Sequence, residues 1–313
     1  MRLSKWAFAQ FKGNELTRAR AGTYGFASVD GNSIVRAAAP AVSFVKAWGR
    51  NEYGQANNAS ASSSGVVNVS AGQSHSLLLT SDGSLWAMGY NFYGQLGDGS
   101  RTNRSEPVAV ATGVSKIAAG LGHSLFIKSD GTLWAMGFND HGQLGDGTTT
   151  DRTTPVQVAT GVDQVAAGHA FSLFVKTDAT LWAVGDNFYG QLGDGTTIDR
   201  GTPVLISASV TQISTYYVHS LFLKTNGSLW AMGENVYGQL GDGTTTNRST
   251  PVQVATGISQ IAAGVNHSLF VKTDGTLWAM GSNGQGQLGD TTNTSRSTPV
   301  QIAIGISQRT FLC

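Results

Sequence analysis

A tryptophan recurs every 48 residues, five times over, inside one repeated phrase. Each copy reads Leu-Trp-Ala, then a methionine or valine, then glycine, and the whole surrounding unit recurs with it. A fixed period of this length means that each unit is one supersecondary element, which buries its apolar surface only against its neighbours. The repeat therefore predicts a single domain built from stacked copies of that element. The five tryptophans are Trp86, Trp134, Trp182, Trp230 and Trp278.

Each unit contains four short segments with the composition of β-strands. Residues 124–128 and 132–136 flank Asp130 and Gly131, and an Asp-Gly pair between two such runs predicts a hairpin because glycine accepts a positive φ. A Pro-Val-Gln-Val run and a Gln-Val-Ala-Ala run supply two more strands. Both faces of the central runs are apolar, so these strands are expected to be covered on both sides. The pattern predicts an all-β fold, a β-propeller whose blades each have four antiparallel strands.

The number of blades depends on how the residues at the two ends of the chain are assigned to blades. We expect residues 1–313 to form one propeller domain, with residues 1–47 as a degenerate N-terminal blade and closure segment and residues 48–313 as the 48-residue repeats, the first one shortened. Seven blades are favoured and six are the alternative. Because the last unit is incomplete, we expect the chain termini to close the ring, with residues 1–12 supplying missing strands, since closure removes exposed sheet edges.

Three phrases recur in register and carry a resemblance to a known family. They are Ala-Ala-Gly-x-x-His-Ser, Asp-Gly-x-Leu-Trp-Ala, and Gly-Gln-Leu-Gly-Asp-Gly followed by Pro-Val. The chain thus resembles the regulator-of-chromosome-condensation repeat family, strongly over residues 47–308 and weakly over 1–46. The resemblance implies a seven-bladed propeller. It implies function only broadly, because the family includes a nucleotide exchange factor, an ultraviolet photoreceptor and a secreted inhibitor of β-lactamases, and one fold hosts many roles.

Charge and composition narrow the classes of partner. The net charge is +1, with eight Lys/Arg against two Asp/Glu in residues 1–50 and twelve against seventeen in residues 51–313. The repeats therefore lack the clustered basic residues that bind nucleic acid, and no nucleic-acid partner is expected. We also expect no membrane span and a monomer. The lone Cys313 excludes an intrachain disulfide, and the start of the chain has no clear signal peptide, so cytoplasmic and secreted locations both stay open.

The repeated polar residues have structural explanations. Four histidines recur in register, but one per blade would place them around a ring, too far apart for one metal ion, and Phe171 occupies the equivalent position in one unit. We expect these histidines to make structural hydrogen bonds, the repeated aspartates to fix loops through backbone N–H groups or arginines, and the tryptophans to lie in the core. No catalytic motif is present, so we predict no enzyme activity, no metal site and no cofactor. The histidines are His75, His123, His219 and His267, and the aspartates are Asp98, Asp146, Asp194, Asp242 and Asp290.

The units differ most just after each tryptophan phrase, where aromatic residues are frequent. Tyrosine and phenylalanine are enriched at protein interfaces because they bury a large area with little loss of entropy. The alternative is that these rings pack against the adjacent blade. Two tyrosines also replace small residues in one unit. The candidate partner-binding residues are Tyr53, Tyr90, Phe92, Tyr93, Phe138, His141, Phe188, Tyr189, Tyr216, Tyr217 and Tyr237.

These observations predict a non-catalytic protein–protein interaction module that binds a partner through one propeller face. The sequence does not identify the partner. One alternative is a guanine-nucleotide exchange factor for a small GTPase, which would need a protruding wedge, and the regular 48-residue units leave no insertion to build one. The other is a secreted bacterial inhibitor or adhesin-like binding protein, which differs in compartment and partner.

Overall fold

The structure is a computed structural model that describes residues 44–45, 51–55, 59–60 and 65–306. Within these ranges the chain is built from β-strands and turns, and no helix capable of spanning a membrane is found there. The predicted closure segment 1–12, most of the predicted N-terminal blade 1–47, and Cys313 lie outside the described residues.

Five complete four-stranded antiparallel sheets form the blades, and in each sheet the strands lie side by side in chain order. This confirms the predicted all-β propeller architecture. Blade 1 contains β3 (Val66–Ala71), β4 (His75–Thr80), β5 (Leu85–Gly89) and β6 (Arg104–Ala111). Blade 2 contains β7 (Val114–Ala119), β8 (His123–Lys128), β9 (Leu133–Gly137) and β10 (Arg152–Ala159). Blade 3 contains β11 (Val162–Ala167), β12 (Phe171–Lys176), β13 (Leu181–Gly185) and β14 (Arg200–Ser207). Blade 4 contains β15 (Val210–Thr215), β16 (His219–Lys224), β17 (Leu229–Gly233) and β18 (Arg248–Ala255). Blade 5 contains β19 (Ile258–Ala263), β20 (His267–Lys272), β21 (Leu277–Gly281) and β22 (Arg296–Ala303).

A two-stranded sheet precedes blade 1. Its strands are β1 (Phe44–Val45) and β2 (Ala59–Ser60), which pair antiparallel. In each later repeat, the segment just before a first strand is the fourth strand of the preceding blade, paired with the third. Because β2 precedes β3 and pairs with β1, β2 and β1 correspond to the fourth and third strands, respectively, of a shortened blade.

The first strands of successive blades contact one another, as β7 does with β3 and β11. They therefore line the centre of the propeller, and the fourth strands lie at the outside. The core consists of layers between neighbouring blades. In one such layer, Leu77 and Leu85 of blade 1 pack with Phe126 and Met136 of blade 2, and all four side chains are almost fully buried. Each blade thus buries its apolar faces against its neighbours, as the repeat predicts.

The predicted Asp-Gly hairpin is confirmed. Gly131 has a φ of +78°, and the Asp130 carboxylate accepts the Thr132 N–H at 2.9 Å. In blade 3 the glycine position is held by Ala179, which adopts a φ of 63°. That conformation is unfavourable for a residue with a Cβ atom.

The tryptophans are only half-buried, which differs from the expectation that they lie in the core. Trp134 stacks parallel to Phe126 with 6.3 Å between ring centroids, and Lys128 Nζ lies 4.6 Å from the Trp134 ring. The indole N–H donates to Thr132 Oγ1 at 2.8 Å. The ring packs against the core layer between blades 1 and 2, and the Lys128 ammonium lies over it.

Candidate protein-binding face

Two sets of loops lie at the same end of every blade. Phe138, in the loop between the third and fourth strands of blade 2, donates its N–H to the carbonyl of Gly122, in the loop between the first and second strands, at 2.9 Å. The Asp-Gly hairpins lie at the opposite end, where Ser129 donates to the carbonyl of Gly113. We call the surface formed by the first-to-second and third-to-fourth loops the loop face. All eleven predicted partner-binding residues lie in these loops.

A buried asparagine holds each third-to-fourth loop. In blade 2, Asn139 donates from Nδ2 to the carbonyls of Thr148 and Thr150 at 3.1 Å and accepts the Leu144 N–H at 2.9 Å. The same bonds form around the asparagines of the other four complete blades. The loop backbone is therefore fixed, and the residues that vary between blades are carried on a common frame.

The repeated aspartates fix these loops as the sequence predicts. Asp146 accepts the Thr148 N–H at 3.0 Å and pairs with Arg152 at 2.6 Å. Burial alone would raise the pKa of the Asp146 carboxyl, but hydrogen bonds from Thr148 and Arg152 outweigh it, so the pKa is lowered. The carboxylate is thus held ionised inside the loop.

Three of the four in-register histidines make the predicted structural hydrogen bonds, and these bonds join neighbouring blades. His123 is fully buried, and its Nε2 lies 3.1 Å from the hydroxyl of Ser172 in blade 3. The Ser172 hydroxyl donates to the Gln143 carbonyl of blade 2 at 2.8 Å. Because a hydroxyl has one proton to donate, the imidazole must be the donor in the first bond. His75 and His219 bond in the same way to Ser124 and Ser268.

Six of the predicted residues form a continuous row of rings on the loop face. Ring centroids are 4.8 Å apart for Tyr53 and Tyr90, 6.2 Å for Tyr90 and Tyr93, and 4.7 Å for Tyr93 and Phe138. The row crosses from the unit before blade 1 into blade 2. We call it the aromatic strip, and its members are Tyr53, Tyr90, Phe92, Tyr93, Phe138 and His141.

The strip combines packing between blades with exposure to solvent. Tyr53, Tyr90, Tyr93 and Phe138 are half-buried, whereas Phe92 is 57% exposed. Burial raises the pKa of the Tyr90 hydroxyl, and Tyr93 and Tyr53 add to the effect. The rings therefore line the loop face and also pack between neighbouring blades, and their role in binding a partner stays a prediction.

The other predicted residues lie outside the strip. Phe188 is 71% exposed and meets Tyr189 edge-on at 4.9 Å, and Tyr237 is 45% exposed. Tyr216 and Tyr217 stand beside the first-to-second loops of blades 1 and 2, close to the centre of the propeller. Tyr217 contacts the His169 ring at 4.9 Å.

The comparison of the repeats with one another did not predict two polar contacts between neighbouring loops. Arg101 of blade 1 pairs with Asp151 of blade 2 at 3.1 Å. In the next pair of blades, His141 Nδ1 lies 2.8 Å from the Asp199 carboxylate. The two partners of each pair come from different repeats, so comparing equivalent positions within the repeat does not bring them together.

Comparison with known proteins agrees with this architecture. The model of the RCC1-like domain family matches residues 45–312. The X-linked retinitis pigmentosa GTPase regulator homolog of Caenorhabditis elegans is 33% identical over 75 aligned residues, which cover 20% of this chain and only 5% of that relative.

Two solved structures share the fold. Human WBSCR16 is 22% identical with a TM-score of 0.69, covering 78% of this chain and 68% of its own. Prp20p from Saccharomyces cerevisiae is 21% identical with a TM-score of 0.65, covering 76% of this chain and 63% of its own. The family match spans most of the chain, and the structure has the repeated four-stranded blades that the fold requires. The chain therefore belongs to the RCC1-like domain family.

Proposed function

We propose that this chain is a non-catalytic protein-interaction module whose loop face binds a protein partner. The observation that carries the proposal is the aromatic strip, in which rings from three consecutive units touch one another and Phe92 remains 57% exposed. Exposed aromatic residues of this kind are frequent anchors at protein interfaces.

The rigidity of the loops supports this function. The N–H groups of Tyr93 and His141 donate to the side chains of Gln95 and Gln143 at 3.0 and 3.1 Å, so the backbone under the strip is hydrogen-bonded. A surface held in this way loses little conformational freedom on binding. An interface of ordinary size covers about 800 Å² on each partner, which is enough to span several neighbouring loops.

The relatives support binding without identifying the partner. One solved structure of yeast RCC1 is bound to Kap60, and the Prp20p structure was described with its binding to Gsp1p and histones. The present chain is 20–21% identical to these proteins and spans 61–63% of their length. Their partners are therefore candidates to be tested and are not assigned to this chain.

Nucleotide exchange on a small GTPase is the second candidate. It is favoured by the C. elegans relative, a GTPase regulator homolog. The five described third-to-fourth loops have the same length, so none of them offers an inserted wedge. Release of a labelled guanine nucleotide from candidate GTPases distinguishes the two functions, because a pure binding module leaves the release rate unchanged.

The proposed function is tested with a matched pair of exposed apolar residues. Phe92 on the loop face and Leu205 on the fourth strand of blade 3 are both 57% exposed. Affinity capture and mass spectrometry first identify partners, and titration then measures the affinity of each variant. We expect Phe92→Ala and Tyr93→Ala each to weaken binding by more than about 1 kcal/mol, roughly fivefold in Kd.

Leu205→Ala is the control and should bind as the unaltered chain does. The same titration applies to Tyr189 and Tyr237, which hold the position of Tyr93 in blades 3 and 4. Equal affinities for the Phe92, Tyr93 and Leu205 variants, all with unchanged melting temperatures, would place the partner on another surface.

A further inference from the structure

Three side chains with metal-binding groups meet on the loop face between blades 2 and 3. The ligand atoms of His141, Asp186 and Asp199 all lie within 4.8 Å of one another. His141 follows β9, whereas Asp186 follows β13 directly and Asp199 directly precedes β14. We propose that these three residues form a binding site for a divalent transition-metal ion, with one imidazole nitrogen and two carboxylate oxygens as ligands.

Both carboxylates are already oriented by the backbone. Asp199 Oδ1 accepts the N–H of Asn187 at 2.8 Å, and its Oδ2 lies 2.8 Å from His141 Nδ1. Asp186 Oδ1 accepts the N–H of Phe188 at 3.0 Å. Hydrogen bonds that fix the rotamers of ligands are typical of metal sites and strengthen them. The ion would therefore find its ligands close to their binding positions.

The charge at this place favours a cation. One blade earlier, the loop aspartate Asp151 pairs with Arg101. In blade 2, Thr149 occupies the position equivalent to Arg101. Asp199 therefore has no guanidinium in the place where Arg101 contacts Asp151. No lysine or arginine forms an ion pair with Asp186 or Asp199 in the part of the chain that the structure describes. The two carboxylates are then opposed only by imidazoles, that of His141 and that of the nearby His169.

The combination of ligands occurs once among the five described blades. The position of Asp186 holds Tyr90, Phe138, Glu234 or Ser282 in the others, and the position of His141 holds tyrosine in three and glutamine in one. Asp186 and His141 therefore do not belong to the common frame of the repeat, whereas the residue at the position of Asp199 accepts the same asparagine N–H in each of the five blades. The three ligands also differ from His75, His123 and His219, which are buried and bonded to serines.

The donor set fits zinc best among common ions. Zinc binds imidazole nitrogen at about 2.0–2.1 Å and carboxylate oxygen at about 2.0–2.2 Å, often with three protein ligands and an open position. Calcium takes about six to eight oxygen ligands, and magnesium prefers oxygen in octahedral geometry. Asp199 and the surrounding loop are exposed, so water could complete the coordination. This proposal departs from the expectation from sequence that no metal site is present, and it does not depend on the proposed function.

The test is a calorimetric titration of the full chain with Zn²⁺. It is performed in a Cys313→Ser background, because a free thiol is itself a zinc ligand. Each ligand is replaced by a residue that another blade carries at the same position: His141→Tyr, Asp186→Ser and Asp199→Asn. We expect one Zn²⁺ per chain, and at least a tenfold loss of affinity in each variant, in line with the roughly 10–100-fold losses seen when even supporting residues are changed.

Asp151→Asn is the matched control, since it removes a carboxylate at the Asp199 position of the preceding blade and should leave zinc affinity unchanged. Thermal unfolding provides a second measurement. Zn²⁺ should raise the melting temperature of the parent chain and of the control, because an ion that binds only the folded state stabilises it, but it should not raise that of the three ligand variants.

Three results would overturn the proposal. The first is the absence of zinc binding to the parent chain, and the second is equal zinc affinity in the parent and all three ligand variants. The third is that Mg²⁺ or Ca²⁺ binds as tightly as Zn²⁺, because the imidazole nitrogen would then not be needed as a ligand.

Discussion

At the scale of single residues, the histidine bonds between blades are the clearest case of a side chain used for architecture. His123 is fully buried, its Nε2 bonds to Ser172, and its Nδ1 has no hydrogen-bond partner within the described structure. Phe171 takes the same position in blade 3 and is also fully buried. The position therefore needs a flat ring that fills space, and the imidazole adds one bond to the next blade.

This comparison predicts different costs for two substitutions of one residue. His123→Ala should lower the free energy of unfolding by about 1–3 kcal/mol, because it removes a buried donor and leaves a void. His123→Phe should cost clearly less, since the ring volume is kept. Urea denaturation measures both. Equal costs would mean that ring packing contributes nothing, and a change below about 0.5 kcal/mol for His123→Ala would remove the structural role.

The same histidines predict sensitivity to acid. Burial lowers the pKa of His75 to about 4, and burial, aided for His123 by neighbouring histidines, lowers the pKa of His123 to about 3. The unfolded chain takes up protons near the ordinary pKa of 6.5, whereas the folded chain does not, so stability is full above that pH and falls as the pH drops.

We expect His75 and His123 each to cost roughly 1.5 kcal/mol of stability between pH 6.5 and pH 5. Urea denaturation at several pH values measures the slope. The His123→Phe variant should show a shallower slope than the parent chain, and an identical slope would contradict the assignment.

Sequence reasoning identified the histidine bonds but not the cluster of His141, Asp186 and Asp199. The histidines repeat with the period, so their role could be inferred from one unit. The cluster joins residues from two repeats, and its distances depend on how neighbouring blades dock. A comparison of equivalent positions cannot supply that information.

At the scale of elements, the strands of each blade could be predicted because their turns and apolar runs repeat. The Asp-Gly hairpins appear where expected, but the fourth strand begins earlier than its apolar run. In blade 2 it starts at Arg152, with a register shift before Val156. Asn139 and Asp146 hydrogen-bond within the loop that precedes this strand, and Asp146 also binds Arg152. These bonds bring the polar residues into pairing with β9. The hydrophobic pattern of the strand alone does not predict them.

The hairpin of blade 3 predicts a stabilising substitution. Ala179 has a φ of 63° where the other four blades have glycine. The left-handed conformation costs roughly 1–2 kcal/mol for a residue with a Cβ atom. Glycine avoids this cost, but it loses more backbone entropy on folding, which offsets part of the gain. Ala179→Gly should therefore raise the free energy of unfolding by about 0.5–1 kcal/mol, measured by urea denaturation.

Gly131→Ala is the reverse control. A Cβ at Gly131 would come no closer than 3.7 Å to its neighbours, so the backbone conformation is the main effect, and a comparable loss of stability is expected. If Ala179→Gly is neutral or destabilising, the alanine does not carry conformational strain.

At the scale of the whole molecule, the two ends of the described residues bear on the predicted closure of the ring. The first residue of each first strand in blades 2 to 5 donates its N–H to the hairpin of the preceding blade, as Ile258 does to the Gly227 carbonyl at 3.0 Å. Ile306 makes the same bond to the Gly275 carbonyl at 3.0 Å. The chain therefore reaches the starting position of another first strand after blade 5. At the other end, the β1–β2 pair has the placement of third and fourth strands.

These two ends predict a blade shared between the termini. If residues after Ile306 supply its first strand and the N-terminal region supplies others, deletion of residues 307–313 and deletion of residues 1–12 should each lower the melting temperature, because each exposes a sheet edge. The two deletions should also be non-additive. Once one end is lost, the shared blade is already opened, so the double deletion should cost less stability than the sum of the single ones. Urea denaturation of the four chains measures this coupling. Unchanged stability in both single deletions would contradict closure by the termini, and strictly additive losses would mean that the two ends stabilise separate parts of the ring.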